Sequence, residues 1–179
     1  MRSDSPLPEL LARLGVMPAL LRDVAAALAD VTRRPASGGF ALVEHAWHLA
    51  DLEREGYDTR ITRLLAEDGP ALPDFDGDRI AREREYLRGD VALALNVFAQ
   101  ARARNLERLA ALDAAALARR GTQDGVGAIT LGRVPRMMEA HDAGHAEELA
   151  ALVAELAPGA SVLARLRARS SVPNEPALA

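Results

Sequence analysis

Residues 131–156 read Leu-Gly-Arg-Val-Pro-Arg-Met-Met-Glu-Ala-His-Asp-Ala-Gly-His-Ala-Glu-Glu-Leu-Ala-Ala-Leu-Val-Ala-Glu-Leu. Leu131, Val134, Met138, Leu149, Leu152 and Leu156 recur at steps of three and four, and His141 and His145 fill the gap between Met138 and Leu149. That period lays one apolar stripe along a long helix, and such a helix is stable only when the stripe is covered by other elements. Thr130 reads as its N-cap, Pro135 falls within its first two turns, and Pro158-Gly159 stops it. Upstream, Gly121 to Gly127 is the most glycine-rich stretch and reads as a loop.

The same reading, carried back along the chain, gives three more long helices. One spans 91–112 with Asp90 as its cap, and one spans 41–67, ending at Asp68-Gly69-Pro70. The first spans 8–34, divided or kinked at Pro18, and stops at Arg34-Pro35-Ala36-Ser37-Gly38-Gly39. A loop over 69–77 and short helices over 78–88, 113–120 and 161–169 complete the pattern, with a fraying tail over 170–179. Strand signals are nearly missing: aromatic residues make up 3% of the chain, and no useful length alternates apolar with polar. Four long helices with one stripe each predict an all-α, antiparallel-leaning four-helix bundle with short accessory helices, a single domain over 1–179 whose core spans about 8–157.

Composition excludes several chemistries. With 179 residues and 49% hydrophobic content, the chain can bury a core. Every one of its 22 basic residues is Arg, so a Schiff-base or P-loop lysine is excluded, and zero Cys excludes thiolate sites and disulfides. A net charge of −4 argues against nucleic acid as the partner. Without a membrane-length apolar run or a secretory leader, the expectation is a cytoplasmic protein that does not meet the membrane.

The four histidines form two pairs, His45 and His48 on the second helix, His141 and His145 on the fourth. At a spacing of i, i+4 the second pair projects from one face, close enough to share an ion. Both occupy positions where a bundle buries Leu, and bare imidazoles facing a core cost several kcal/mol unless partnered; a shared cation partners them together. On the second helix, Leu42, His45, Leu49 and Leu52 form the stripe, which favours His45 as a third ligand, while His48 lies about 60° away. Asp51 and Asp142 are candidates to orient the imidazoles. Tyr57, Tyr86 and Trp47 read mainly as packing residues. The arginines at 102, 104, 108, 165, 167 and 169 read as solvated helix faces.

Trp47-His48-Leu49-Ala50-Asp51-Leu52-Glu53, preceded by Arg34-Pro35 and Phe40, resembles the second helix of the DinB-like family, and Thr130-Leu131 through Met138 to His141-Asp142-Ala143-Gly144-His145 and on to Glu148-Leu149 resembles its last. The resemblance covers about residues 8–157; Phe40 stands where many members carry Trp. This family of four-helix bundles, with bacillithiol transferases and mycothiol-dependent maleylpyruvate isomerase among its members, has a three-histidine divalent metal site. It implies His48, His141 and His145 as ligands of a divalent ion, Zn²⁺ or Ni²⁺, with His45 as a neighbour. Three imidazoles leave positions open for water or a substrate group, as in catalytic sites. The implied function is a metal-dependent thiol S-transferase or isomerase in stress response or detoxification, acting on a small molecule with a low-molecular-weight thiol. A metal-dependent hydrolase and a non-enzymatic stress-response bundle are the alternatives, and a homodimer is left open.

Overall fold

The computed structural model describes residues 5–171. Helices α1 (Leu7–Leu14) and α2 (Met17–Ala27) occupy the first predicted span, with Pro18 in the first turn of α2, where its missing N–H costs nothing. The span ends at Ala27 rather than 34. Beyond it, the Asp30 carboxylate accepts from the Thr32 N–H at 2.9 Å and hydroxyl at 2.7 Å, a local turn that competes with helix. Helix α3 (Leu42–Asp51) runs through a π-helical segment (Leu52–Tyr57) into α4 (Asp58–Ala66). Then come strand β1 (Ala71–Leu72), helix α5 (Gly77–Glu83) and a 3-10 turn (Tyr86–Arg88). Asp90 caps α6 (Val91–Ala110), accepting from the Leu93 N–H at 2.9 Å, as predicted. Asp113 does the same for α7 (Ala114–Leu117). Helix α8 (Val134–Leu156) and α9 (Val162–Ser170) finish the described chain. Of the tail expected to fray, 172–179 lie outside the described residues.

Two expectations fail between α7 and α8. The glycine-rich loop is a hairpin of β2 (Arg120–Gln123) and β3 (Gly127–Thr130), antiparallel with Gly121 opposite Ile129, and β1 adds to β2 in parallel. Asp124-Gly125 turns the chain, with Gly125 at φ 73° and Gly127 at φ 89°, a region open to glycine at little cost. Gly121 has no room for a side chain, since a Cβ would lie 2.8 Å from the Pro70 carbonyl oxygen. Nor does the Thr130 side chain cap α8: it ends β3, and a 3-10 turn (Leu131–Arg133) leads into the helix.

The segments α1–α2, α3–α4, α6 and α8 form the four-helix bundle; α3 packs on α6, α1 on α8, and α9 folds back on α8. The core has two halves. One gathers Leu21, Leu42, Leu49, Phe98, Leu149 and Leu166; the other gathers Leu14, Ile61, Leu64, Leu72, Leu109, Ile129 and Met138. Between them lies a polar layer. Arg102, 1% exposed, donates to Glu53 at 2.9 Å, to Asp142 at 2.8 and 3.0 Å, and to the Leu14 carbonyl at 3.0 Å. Arg169, also buried, reaches Asp142 at 3.3 Å. These two arginines therefore correct the expectation of solvated faces: the carboxylates facing them let the guanidinium groups be buried.

Candidate metal centre

On α8, His141 and His145 stand about 60–100° around the helix from Asp142 of that polar layer. Helical spacing turns His141 and His145 to one side and Glu139 and Asp142 to another, and α3 brings His45 and His48 against His145 and His141. His48 Nε2 and His141 Nε2 are 3.3 Å apart. The rings of His141 and His145 have centroids 4.4 Å apart, and those of His48 and His145 are at 5.0 Å. One nitrogen from each of His48, His141 and His145 falls within a 4.8 Å group. Two nitrogen donors on a tetrahedral ion at about 2.0–2.1 Å stand roughly 3.3–3.4 Å apart. The His48–His141 separation matches that span, so the trio fits a divalent ion.

Burial favours the neutral form of His45, His48 and His141, the form a metal requires. Desolvation, reinforced by the neighbouring His145, pushes His45 down to about 3 and His48 down to about 4, and holds His141 well below the usual imidazole range. Neither His48 Nδ1 nor His141 Nδ1 has a hydrogen-bond partner among the described residues. His48 is instead positioned by shape: Phe40 and Phe75 stand edge-on to its ring at 6.0 and 5.9 Å. The backbone of Gly77 closes the third side, where a Cβ would lie 2.3 Å from His48 Cε1 and 2.7 Å from Nδ1.

Asp51 and Asp142, the expected orienters, point elsewhere. Asp51 accepts from the Tyr86 hydroxyl at 2.6 Å, from Arg84 at 2.5 Å and from Arg54 at 2.8 Å, and Asp142 belongs to Arg102. Tyr86 also stacks on Trp47, which makes both packing residues, as expected. The carboxylate that does meet the histidines is Glu148, which closes the family phrase one turn after His145 but had no role assigned from sequence. Its Oε2 is 3.1 Å from His145 Nδ1 and 3.7 Å from His45 Nδ1, and the hydrogen bond from His145 lowers its pKa. His45 Nδ1 is itself 3.0 Å from His145 Nδ1, so His45, His145 and Glu148 make a second group of possible ligand atoms.

Above the histidines opens a cleft of about 620 Å³, within the usual size range of small-molecule sites. One wall is the 35–40 segment, which Glu155 anchors through the Ala36 N–H at 3.0 and 3.1 Å. Asp78 on α5 and Glu148 on α8 also line it.

A histidine trio at the floor of a cleft in a four-helix bundle invites comparison with known proteins. No curated relative matches the chain. Among solved structures, YfiT from Bacillus subtilis, described as a probable metal-dependent hydrolase with an unusual four-helix bundle topology, superposes with a TM-score of 0.72 at 20% identity, covering 86% of this chain and 90% of that one. At that identity the likeness is one of fold. The family assignment comes from sequence: residues 10–149, from the first turns of α1 past both histidine pairs to Leu149, match the DinB superfamily. This chain belongs to the DinB superfamily.

Proposed function

We propose that this chain is a single-domain, cytoplasmic, metal-dependent enzyme in which His48, His141 and His145 hold a divalent ion, Zn²⁺ or Ni²⁺, and that it transfers a low-molecular-weight thiol to, or isomerises, a small electrophile. The observation that carries the reading is three imidazoles, two half-buried and one buried, converging at the floor of an open cleft. A bound divalent ion supplies Lewis acidity, favouring a thiolate at neutral pH and polarising an electrophile. Glu148, held ionised, accepts from His145 Nδ1–H, which fixes that ring's tautomer and leaves Nε2 free as a ligand. The 35–40 wall and Phe40 shelter the reacting groups from water on one side.

A second reading, hydrolysis at the same site, draws on the description of YfiT and on Glu148 as a cleft carboxylate able to take a proton from water. Elemental analysis of protein purified without added metal comes first, with about one divalent ion per chain expected. The loaded protein is then offered a thiol with an electrophile, or esters and amides. Thiol-dependent loss of the electrophile supports transfer; ester or amide cleavage without thiol replaces it with hydrolysis. A metal-loaded protein inert to both would make the bundle non-enzymatic.

A further inference from the structure

The charge around the cleft narrows the substrate class. The chain carries 22 arginines, yet among the described residues none lines the cleft. Arg34, next to wall residue Pro35, is turned away: it donates to Glu44 at 2.7 and 2.5 Å, and Glu44 also accepts the Ala41 N–H at 2.9 Å. Arg82 stands one helical turn after Asp78 and lines an adjoining hollow, not the cleft; Asp78 and Phe40 border both, and among the described residues Arg82 forms no ion pair with Asp78. What does reach the cleft is two carboxylates from different elements. Asp78 has no hydrogen-bonded or ion-paired partner among the described residues, and Glu148 uses only Oε2 towards the histidines.

A divalent ion on three neutral imidazoles brings two positive charges, which these carboxylates offset. One anionic donor atom is welcomed at the ion itself, whereas a second negative charge further out meets Asp78 and Glu148. We infer that the cleft takes a small thiol whose remote group is a protonated amine, and discriminates against thiols that carry a carboxylate. The inference rests on the metal reading above and adds Asp78 as a specificity-determining residue. The thiol binds as thiolate, its proton leaving to solvent.

The test uses the full chain loaded with Co²⁺, with cobalt content measured first by elemental analysis. Cysteamine, 2-mercaptoethanol and 3-mercaptopropionate, alike in size and differing in charge, are titrated while the thiolate-to-cobalt charge-transfer absorption is followed. Comparison of variants cancels differences in thiol acidity and chelation. The preference for cysteamine over 3-mercaptopropionate is expected to fall about fivefold in Asp78→Asn and further in Asp78→Asn/Glu148→Gln, the size set by partly exposed charge pairs. Raised salt should shrink it in the unmodified protein. A preference unchanged within twofold in both variants overturns the inference. So does tighter binding of 3-mercaptopropionate that disappears in Arg82→Gln, which would assign recognition to the neighbouring hollow. A chain that takes up no cobalt fails at the first measurement, overturning the metal reading and this inference with it.

Discussion

His45 and His48 sit three residues apart on α3 and meet different surroundings. His48 offers Nε2 to His141 across 3.3 Å, whereas His45, 1% exposed, offers Nδ1 to His145 and Glu148. Removing a ligand should weaken metal binding far beyond the roughly 10–100-fold effect of a supporting residue. His48→Ala is therefore expected to abolish stoichiometric Zn²⁺ or Ni²⁺ binding, and His45→Ala to retain most of it, in titrations of the metal-free variants. The reverse order would move the third ligand to His45. Gly77 gives a sharper test, because nothing in its residue type suggests a role in metal binding. A Cβ there overlaps the His48 ring, whose displacement costs the fold little and the site much. Gly77→Ala should keep its helical circular dichroism and lose about 10–100-fold in metal affinity; unaltered affinity would show that His48 is positioned by something else.

The long helix that carries these two histidines is not one regular α-helix, and its own sequence explains why. Its buried stripe runs Leu49, Leu52, Tyr57, Ile61, Leu64, with a step of five between Leu52 and Tyr57. A regular helix would swing the second half of the stripe out of the core, and one π turn, with i→i+5 bonding, absorbs the extra residue. The Asn105 side chain from α6 supports this turn, donating to the Glu53 carbonyl and to its carboxylate, each at 3.0 Å. Asn105→Ala should destabilise the protein by about 1–3 kcal/mol, the cost of leaving buried acceptors unmet, read as a lower urea midpoint at unchanged slope. The five-residue step was there to be read, as was Asp124-Gly125, a hairpin signal between short segments. Both were hidden by the helical period on either side, which dominates a window of ten or more residues.

Across the whole bundle, the apolar halves are held apart by charge. Arg102→Met should cost about 3–5 kcal/mol, because it strands Glu53 in the interior without a cation and leaves Asp142 only the longer contact to Arg169; urea unfolding measures it, and a cost under 1 kcal/mol would mean that the layer rearranges or admits water. Acidity acts through the histidines. Folding depresses His45, His48 and His141 below the unfolded value of about 6.5, so below that pH the unfolded chain binds protons that the native one refuses. The stability these rings contribute is intact above about pH 6.5 and is lost as pH falls towards 4, by about 1.4 kcal/mol per unit for each ring. Urea midpoints of the metal-free protein at pH 7.5, 6 and 5 should fall in that order, and a flat series would mean that the rings are not buried in the neutral form. The long helices, the Asp90 cap and the pairing of His141 with His145 were legible in the chain because each rests on residues within one or two turns of one another. The choice of His48 beside His45 rested on a family phrase, since a rotation of about 60° along one helix cannot be settled without its neighbours. Gly77 against the His48 ring, and Arg102 and Arg169 in the interior, had no signature of their own, and nothing in the family phrase marked Glu148 over Asp51 as the carboxylate that meets the histidines. Each depends on which carboxylate, ring or backbone a distant segment brings within about 3–4 Å, and contacts of that range are fixed only when the helices pack.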